Sequence, residues 1–345
     1  MQFREDVQRL RAAIRAAPGM RGGVAGVAAG MPLAVIATAF GGPDVLAVVD
    51  ESVPEPGPGE ARIEIRAAGV NPIDYKAYSG MFGRDPSQLP MRLGSEAAGV
   101  VTAAGPDAVG PAGPVAVGDE VIAFRASGAY AAELVVPAGA LVPKPAALDW
   151  AQAGGLMLTG VTAWHALAAT DVHEGDTVLI NGAAGGVGLI AVQLAAARGA
   201  SVVATASPAH HDLLRELGAR PVAYGLGLAD RVRAAAPRGI DAALDLVGTD
   251  EAIDVSLELV ADRARIATIA GFARGPGAGI KVLGGAPGAD PGTGIRAAAR
   301  LELTRLAQSE GLRVFVAHEF PLTEVAAAHR AIMGGHVSGK IVLIP

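Results

Sequence analysis

A glycine-rich turn between two short apolar runs limits what this chain can fold into more than any other stretch. Residues 177–206 contain an apolar run at 178–180, the turn Gly182-Ala-Ala-Gly-Gly-Val-Gly188, a segment of helical period at 189–198 and a second apolar run at 202–206. Strand, glycine turn, helix and strand form the context that a dinucleotide-binding fingerprint requires. Glycines let the backbone approach a pyrophosphate, and the helix N-terminus offers free N–H groups. The stretch therefore predicts a nucleotide site, with a turn that only packs a helix on a sheet as the alternative.

The turn and its surroundings also indicate which dinucleotide is bound. Ala183 occupies the place of the first glycine in the G-x-G-x-x-G pattern, so the glycines alone are a weak signal. Thr205 stands at the end of the second apolar run, where a carboxylate would hold the ribose 2′-hydroxyl and repel a 2′-phosphate. The missing carboxylate predicts NADPH rather than NADH. We predict that the cofactor is bound by the turn residues Ala183, Ala184, Gly185, Gly186, Val187 and Gly188, and by Thr205.

Composition excludes several classes of protein. The 345 residues suffice for two domains, and the net charge of −6 gives a nucleic-acid partner no general electrostatic support. The chain has no cysteine, which removes disulfides, thiolate zinc sites and a cysteine nucleophile. Residues 22–42 are uncharged, but glycines and Pro32 break the stretch. We therefore predict neither a membrane span nor a signal peptide, and expect a cytoplasmic protein.

The pattern along the chain predicts an α/β protein of two domains after an N-terminal extension. Residues 1–30 combine an amphipathic helical pattern with a Gly/Ala-rich linker, which indicates a loosely attached extension rather than a docking helix. Residues 31–150 hold many short apolar runs between Pro/Gly turns, as in a β-rich domain. Residues 151–310 alternate strands and helices, which predicts a doubly wound parallel sheet. Residues 311–345 are expected to return to the first domain.

Six further motifs carry a family resemblance: Gly41-Gly-Pro-Asp-Val-Leu46, Ala68-Gly-Val-Asn-Pro-Ile-Asp-Tyr-Lys76, Leu93-Gly-Ser-Glu-Ala-Ala-Gly-Val-Val101, Val117-Gly-Asp-Glu-Val121, Leu158-Thr-Gly-Val-Thr-Ala163 and Gly335-His-Val-Ser-Gly-Lys-Ile-Val-Leu343. Together with the glycine turn they resemble the zinc-independent quinone oxidoreductase branch of the medium-chain dehydrogenase/reductase superfamily. The resemblance covers residues 31–345. It implies a GroES-like substrate domain packed against a Rossmann domain that binds NADP(H), with the active site in the cleft between them.

The resemblance also suggests the chemistry. Asn71 and Ser95 stand where the zinc branch of the superfamily has a cysteine and a histidine, so no metal is expected. The implied reaction is hydride transfer from NADPH to a quinone or an α,β-unsaturated carbonyl. Asn71 and Tyr75 are candidates for orienting the acceptor, with a turn residue and a half-buried aromatic as the respective alternatives. Asp74 and Lys76 are expected to be a solvated pair.

The same resemblance extends the cofactor site. Thr159 is expected near the nicotinamide, unless its hydroxyl only caps a helix. Lys340 is expected near a cofactor phosphate, or exposed at a strand start. Asp241 and Asp245 have the spacing of an acid/base pair, which is a poor argument by itself. The other expected cofactor contacts follow strands of the parallel sheet, where ligands bind in open α/β folds: Ser207, His211, Tyr224, Val247, Gly248, Gly271 and Phe272.

Two other functions stay open. An enoyl reductase acting on acyl or polyketide thioesters would use the same fold, and a basic entrance for a phosphopantetheine arm would support it. A protein that binds NADPH or RNA without turnover is the alternative outside enzymes. By analogy with the family we expect a homodimer, with residues 280–283 as the edge strand that pairs.

Overall fold

The computed structural model describes residues 30–345 of the chain. The amphipathic helix and most of the linker predicted in residues 1–30 lie outside the described residues. The α-helices are α1 Pro72–Tyr78, α2 Trp150–Ala169, α3 Gly186–Ala197, α4 His211–Glu216, α5 Leu228–Ala235, α6 Asp250–Leu259, α7 Gly275–Ala278, α8 Thr293–Gln308 and α9 Val325–Met333. In the part of the chain that is described, none of these helices has the length and apolar character needed to span a membrane.

The strands fall into two large sheets and two small ones. They are β1 Leu33–Ala37, β2 Leu46–Asp50, β3 Glu60–Val70, β4 Met91–Arg92, β5 Glu96–Ala104, β6 Val109–Gly110, β7 Gly113–Pro114, β8 Glu120–Phe124, β9 Glu133–Pro137, β10 Leu141–Pro143, β11 Thr177–Asn181, β12 Ser201–Thr205, β13 Ala219–Val222, β14 Ala242–Asp245, β15 Ile266–Thr268, β16 Lys281–Val282, β17 Val316–Pro321 and β18 Lys340–Ile344.

The first large sheet is built around β3. This strand pairs antiparallel with β5, β9 and β18, and β17 lies parallel to β18 at the edge. The residues of β3 alternate between buried and partly exposed in its first half, because one face packs on the core. The two C-terminal strands thus share a sheet with strands from the N-terminal half of the chain.

The second large sheet has six parallel strands in the order β13-β12-β11-β14-β15-β16. All five residues of β11 are buried, as expected for a strand covered by helices on both faces. The strand order reverses between β11 and β14, and ligands of such sheets bind at this switch point. The predicted fold class, a β-rich part beside a doubly wound parallel sheet, is confirmed.

Helix α2 joins the two sheets and is the largest element that the sequence does not predict. It packs on β3, β5 and β18 of the first sheet and on α3 and α8 beside the second. Most of its residues are buried, so it lacks the one-sided apolar pattern that identifies a surface helix. Gly154 lies against β3, where an added Cβ would come within 2.7 Å of the Ala67 carbonyl oxygen. The glycines of α2 therefore allow the close contact with β3. They also make the helix hard to predict from the sequence, because glycine is unfavourable in helices.

Candidate active site

The glycine turn presents an uncapped helix N-terminus. Gly185 is the N-cap of α3, no side chain caps it, and the first turn contains no acidic residue. An added Cβ on Gly188 would lie 2.4 Å from the Gly182 carbonyl oxygen, so this glycine is required for packing the helix on the turn. At Gly185 the nearest atom to an added Cβ is 3.5 Å away. Space is therefore left beside Gly185 at the start of the helix, where an anionic ligand is favoured.

The C-terminal segment holds this turn in place. Ala184 O accepts hydrogen bonds from Ser338 Oγ at 3.0 Å and from Gly339 N at 3.2 Å. Gly339 has a φ of +95°, and an added Cβ there would lie 2.5 Å from the Phe315 carbonyl oxygen. The sequence contains both residues in the last motif, but their contact with the turn depends on folding. Ser338 and Gly339 were therefore missed as site residues.

Thr159 lies next to the turn but is not a helix cap. An added Cβ on Gly186 would be 3.2 Å from Thr159 Cγ2, so the two residues are in contact. The Thr159 hydroxyl donates to Gly155 O at 3.0 Å in the middle of α2. The alternative interpretation as a cap is wrong, and the methyl group faces the glycine turn.

The side chain of Thr205 forms hydrogen bonds with the start of the glycine turn. Its side chain is buried; Oγ1 accepts from Gly182 N at 3.1 Å and donates to Asn181 Oδ1 at 3.2 Å. These bonds use the hydroxyl internally, which corrects the expectation that Thr205 contacts the cofactor. Ser207, two residues further, makes no side-chain hydrogen bond within residues 30–345 and is half-buried.

Hydrogen bonds from His211 and Arg231 hold the loops where we expect the adenosine end of the cofactor. His211 Nε2 lies 3.2 Å from Ala206 O. Tyr224 is 60% exposed, so core packing is the wrong interpretation of this residue. The guanidinium of Arg231 donates to the carbonyl groups of Ala223, Gly225 and Leu226, in the loop that contains Tyr224. No local pattern in the sequence identifies Arg231.

A buried pair fixes the carboxyl ends of β14 and β15. Asp245 Oδ1 accepts from Val247 N at 3.1 Å and from Gly248 N at 2.8 Å. Its other oxygen accepts from Thr268 Oγ1 at 2.7 Å, and this hydroxyl accepts from Gly271 N at 2.7 Å. Both loops expected to meet the nicotinamide are thus set by Asp245 and Thr268, which were not predicted as site residues.

Asp241 and Asp245 do not form an acid/base pair. Asp241 Oδ2 accepts from Thr177 N, at the start of β11, at 2.7 Å. Asp245 belongs to the last residues of β14, where β14 pairs with the end of β11. The two carboxylates therefore lie at opposite ends of the sheet.

Three polar side chains meet where the first sheet contacts α2. Asn71 Nδ2 donates to Glu96 Oε1 at 2.9 Å, and Lys340 Nζ donates to the same oxygen at 3.0 Å and to Asn71 Oδ1. Glu96 Oε2 accepts from Leu158 N at 2.6 Å. All three side chains are buried. We call this group the junction cluster.

The junction cluster corrects two expectations. Lys340 is 4% exposed, so it is not an exposed residue at a strand start. Its ammonium donates to Val70 O, Asn71 and Glu96, which uses its three N–H groups and leaves none for a cofactor phosphate. Asn71 is the N-cap of α1, and its amide donates to Glu96 and to Gly69 O. Both the NH2 group and the oxygen of this amide are therefore engaged in hydrogen bonds within the protein.

A second buried group lies behind α1. Tyr130 OH donates to Asp74 Oδ2 at 2.7 Å, and His329 Nε2 lies 3.3 Å from the same hydroxyl. Tyr78 OH lies 2.9 Å from His329 Nδ1. Because Tyr130 donates to Asp74, it accepts from His329 Nε2–H, and His329 Nδ1 then accepts from Tyr78.

Burial changes the proton affinity of this group. It raises the pKa of Asp74 to about 7, although hydrogen bonds from Tyr130 and the Asn71 backbone favour the ionised form. It lowers the pKa of His329 to about 4. Burial also raises the pKa of Tyr130 well above its ordinary value. The expectation that Asp74 and Lys76 form a solvated pair is wrong, because Asp74 is buried and paired with a tyrosine.

Residues from both sheets face each other across the cleft. Lys76 Nζ, at the end of α1, lies 5.6 Å from the ring centroid of Phe272, which follows β15. Burial lowers the pKa of Lys76 and raises the pKa of Tyr75. Tyr75 is half-buried, and its hydroxyl has no hydrogen-bond partner within the described chain. The Oγ atom of Ser95 is buried and also lacks a partner there.

Metal ligands are not grouped in the described residues. Residues 30–345 contain no cluster of three or more His, Cys, Asp or Glu side chains arranged to hold a metal ion. Glu96 already has a lysine ammonium at 3.0 Å, and the neighbouring place is taken by Ser95.

The fold and the cleft point to an oxidoreductase of the medium-chain dehydrogenase/reductase class. Two family models match the chain: the alcohol dehydrogenase GroES-like domain over residues 57–146, and the zinc-binding dehydrogenase over residues 217–343.

Comparison with individual proteins identifies the branch. The chain is 34% identical over 328 residues to a quinone oxidoreductase of Pseudomonas aeruginosa, covering 89% of this chain and 98% of that protein. It is 34% identical over 350 residues to a 2-haloacrylate reductase of Burkholderia sp., covering 91% and 99%. The structure of Escherichia coli quinone oxidoreductase complexed with NADPH superposes with a TM-score of 0.78 at 28% identity, covering 91% and 100%. The chain belongs to the quinone oxidoreductase branch of this superfamily and is an oxidoreductase, which confirms the resemblance.

Proposed function

We propose that this enzyme uses NADPH to reduce a quinone or an α,β-unsaturated carbonyl without a metal. One observation carries the proposal: the uncapped N-terminus of α3 opens beside a cleft in which a lysine ammonium neutralises the carboxylate of Glu96. An anionic dinucleotide fits the first feature. The second pairs the Glu96 carboxylate with a lysine, so this carboxylate is not free to bind a zinc ion.

The residues present fit NADPH. The backbone N–H groups of Gly186, Val187 and Gly188 would hold the pyrophosphate, with Gly185 leaving the space open. When bound, NADPH supplies the hydride that the acceptor gains. The further residues proposed to surround it are Thr159, Ala183, Ala184, Ser207, His211, Tyr224, Val247, Gly248, Gly271 and Phe272. Ser207 carries no negative charge, which supports a ribose 2′-phosphate at that end.

The names of two relatives support the choice of acceptor. Quinones and 2-haloacrylates both contain a carbon–carbon double bond conjugated with a carbonyl group. Reduction of such a system places negative charge on the carbonyl oxygen, and a hydrogen-bond donor there stabilises the transition state. Simple alcohol oxidation would instead need a Lewis acid or a general base to take up the hydroxyl proton.

We propose Tyr75 as the donor. Its hydroxyl has no partner within the described chain, and burial raises its pKa, so it stays protonated at neutral pH. The Asn71 amide, by contrast, is used by Glu96 and Gly69 O. We therefore assign oxyanion stabilisation to Tyr75, and assign to Asn71 the positioning of α1. Orientation of the acceptor in a cleft that excludes water supplies the rest of the acceleration.

The direct test follows the absorbance of NADPH with a panel of quinones and enones. Turnover with at least one acceptor, a lower KM for NADPH than for NADH, and no loss after treatment with a chelator are expected. An enzyme whose activity vanishes with the chelator and returns with zinc would contradict the metal-free mechanism. If no acceptor is reduced, the reductase function itself is wrong.

The two alternative functions have separate tests. Turnover of acyl thioesters at higher kcat/KM than of quinones would establish the enoyl reductase. Tight NADPH binding without turnover, together with salt-sensitive retention of RNA, would establish the binding protein.

The domain division and the assembly are also proposals. We assign residues 31–150 and 311–345 to the substrate domain and residues 151–310 to the cofactor domain of a cytoplasmic homodimer. The outer edge of β16 is not entirely open, because Val282 O accepts from Asp290 N at 2.8 Å. The molar mass from light scattering would test the dimer, with residues 280–283 replaced by a proline-containing segment as the variant.

A further inference from the structure

Three arginines come together beside the cleft. Arg125 follows β8, and Arg296 and Arg300 lie about one turn apart on α8. Burial lowers the pKa of Arg296 and of Arg300, and the positive charge of Arg125 lowers both further. Arg296 and Arg300 are neighbours on one face of α8, and the charge of Arg125 acts on both. We call these three residues the arginine cluster.

The hydrogen bonds of the arginine cluster go to neutral acceptors. Arg296 Nε donates to His165 Nδ1 at 3.3 Å, and its Nη1 donates to Thr162 Oγ1 at 3.3 Å. Arg300 Nη1 donates to Gly139 O at 2.8 Å. The Nη2 groups of both arginines, and the whole guanidinium of Arg125, have no partner within residues 30–345. Several N–H donors thus remain available in one place.

The arginine cluster also lacks a counter-ion in the described part of the chain, where none of its members forms an ion pair. Arg265 shows the contrast, because its Nη2 lies 2.6 Å from the buried carboxylate of Asp176. Arg296 and Arg300 are half-buried, whereas Arg125 is exposed. Removing the first two guanidinium groups from water costs free energy that a nearby anion offsets.

Asp290 does not fill this role. It is the acidic residue whose charge acts on Arg296, but one oxygen lies 3.2 Å from His165 Nε2 and the other accepts from Gly292 N at 2.8 Å. Since Arg296 can only donate, His165 accepts at Nδ1 and donates from Nε2 to Asp290. Burial lowers the pKa of His165, so the ring is neutral and orients Arg296 without neutralising it.

The position of the arginine cluster connects it to the acceptor side of the cleft. Thr162, which binds Arg296, lies one turn along α2 from Thr159, the residue in contact with the glycine turn. Ala126 N donates to Ser95 O at 3.1 Å, which places Arg125 next to the start of β5. Arg125 itself has a φ of +60°, which is strained for a residue other than glycine. Strained backbone conformations of this kind cluster at functional sites.

We propose that the arginine cluster binds an anionic group of the acceptor, a carboxylate or a phosphate, and so selects charged substrates. The proposal rests on the reductase function above and names its substrate class. Guanidinium groups bind both anions in a planar, two-point geometry, and a charge-assisted hydrogen bond is stronger than a neutral one.

The test compares acceptors that differ in one charge. 7-Oxooct-5-enoate and its methyl ester form the carboxylate pair, in which the charge lies away from the enone; crotonyl pantetheine with and without its 4′-phosphate forms the phosphate pair. The charged member of at least one pair is expected to have a kcat/KM higher by about tenfold or more, the value of one charge-assisted hydrogen bond. The pair that responds identifies the source of the anion. Equal kcat/KM within both pairs overturns the proposal.

Variants separate binding from general damage. Arg125→Gln and Arg296→Gln are expected to remove the preference for the charged member, mainly through KM, and to change the neutral member by less than about twofold. Arg296→Lys keeps the charge and should retain part of the preference. Arg305→Gln, on the same helix but exposed and paired with Glu302, is the matched control. An equal loss for charged and neutral acceptors in both glutamine variants overturns the proposal.

If neither pair of acceptors is reduced, a binding measurement still tests whether the arginine cluster binds an anion. 7-Oxooct-5-enoate and inorganic phosphate are titrated against the NADPH-loaded enzyme, and its melting temperature is recorded. Stabilisation of the wild type by one anion, absent in Arg125→Gln, supports the arginine cluster. No stabilisation by either anion overturns it. Reduction of a neutral quinone in the same preparation shows whether the reductase function holds independently.

Discussion

The ammonium of Lys340 lies 3.0 Å from Glu96 Oε1, a buried ion pair between residues 244 positions apart. It links the first residue of β18 to the first residue of β5, and Glu96 extends the link to Leu158 in α2. The pair thus ties the last strand of the chain to the helix that joins the two sheets.

Lys340→Met is expected to lower the free energy of unfolding by about 3–5 kcal/mol, because it leaves the Glu96 charge buried without its cation. The double variant Lys340→Met/Glu96→Gln should recover much of this loss. Urea unfolding followed by circular dichroism measures both. Arg305→Ala, which breaks an exposed pair, should cost about 1 kcal/mol or less. A loss in Lys340→Met no larger than in Arg305→Ala would contradict this role.

Asp74 and His329 should give opposite pH dependences. The pKa of Asp74 rises from 3.8 to about 7 on folding, so folding takes up a proton between these values and the free energy of unfolding falls as pH rises. The pKa of His329 falls from 6.5 to about 4, so folding releases a proton and the free energy of unfolding rises with pH in that window. In the wild type the two contributions largely cancel between pH 4 and 6.5.

Single variants expose each contribution. Asp74→Asn should become more stable relative to wild type as pH rises from 4 to 7, and His329→Gln less stable from 4 to 6.5. The slope of each difference is at most about 1.4 kcal/mol per pH unit. Urea unfolding at four pH values measures it. Parallel profiles for the two variants would show that these groups do not titrate as stated.

What the sequence predicts well is local. The glycine turn lies within seven consecutive residues, and the order of apolar runs around it is enough to predict the parallel sheet. The sequence identifies Thr205 as an uncharged residue at the end of β12, but the hydroxyl of this threonine is directed inward and accepts from Gly182 N. Pattern gives the residue type at a position and leaves the direction of the side chain open.

What the sequence does not predict depends on distant segments. Asp74 looked solvated beside Lys76, yet Tyr130 and His329 cover it, and they come from a loop and a helix far along the chain. Lys340 looked like a phosphate ligand because the strand motif does not reveal that Glu96 is its partner. The arrangement of such groups is set by packing, which periodicity does not record.

Alanine substitutions at two glycines of the turn should have different effects on stability. Gly188→Ala places a Cβ 2.4 Å from a backbone oxygen, so it should reduce both stability and NADPH affinity. Gly185→Ala has space for the Cβ and a φ of −75°, so the fold should remain while NADPH affinity falls. Thermal unfolding and fluorescence titration with NADPH measure the two effects. Equal affinity of Gly185→Ala and wild type would show that the pyrophosphate lies elsewhere.

Ser207→Asp should reverse the preference between cofactors. A carboxylate after β12 repels a 2′-phosphate and accepts from a 2′-hydroxyl, so the KM for NADPH should rise by about tenfold or more while that for NADH stays or falls. Ser207→Ala is the control for loss of the hydroxyl alone, and a small change is expected. Steady-state kinetics with both cofactors give the ratio. A carboxylate that leaves the NADPH/NADH ratio unchanged would place the 2′-phosphate away from Ser207.

Tyr75→Phe should lower kcat by about 100-fold with little change in the KM for NADPH, because the donor acts on charge that develops only in the transition state. Burial raises the pKa of Tyr75, so the wild-type rate should not fall through tyrosine ionisation up to about pH 9. Tyr78→Phe is the matched control. Its hydroxyl lies 2.9 Å from His329 Nδ1 behind α1, so this change should cost stability and leave kcat within about twofold. Wild-type kcat in Tyr75→Phe would shift the donor role to an ordered water, which a solvent isotope effect on kcat would then reveal.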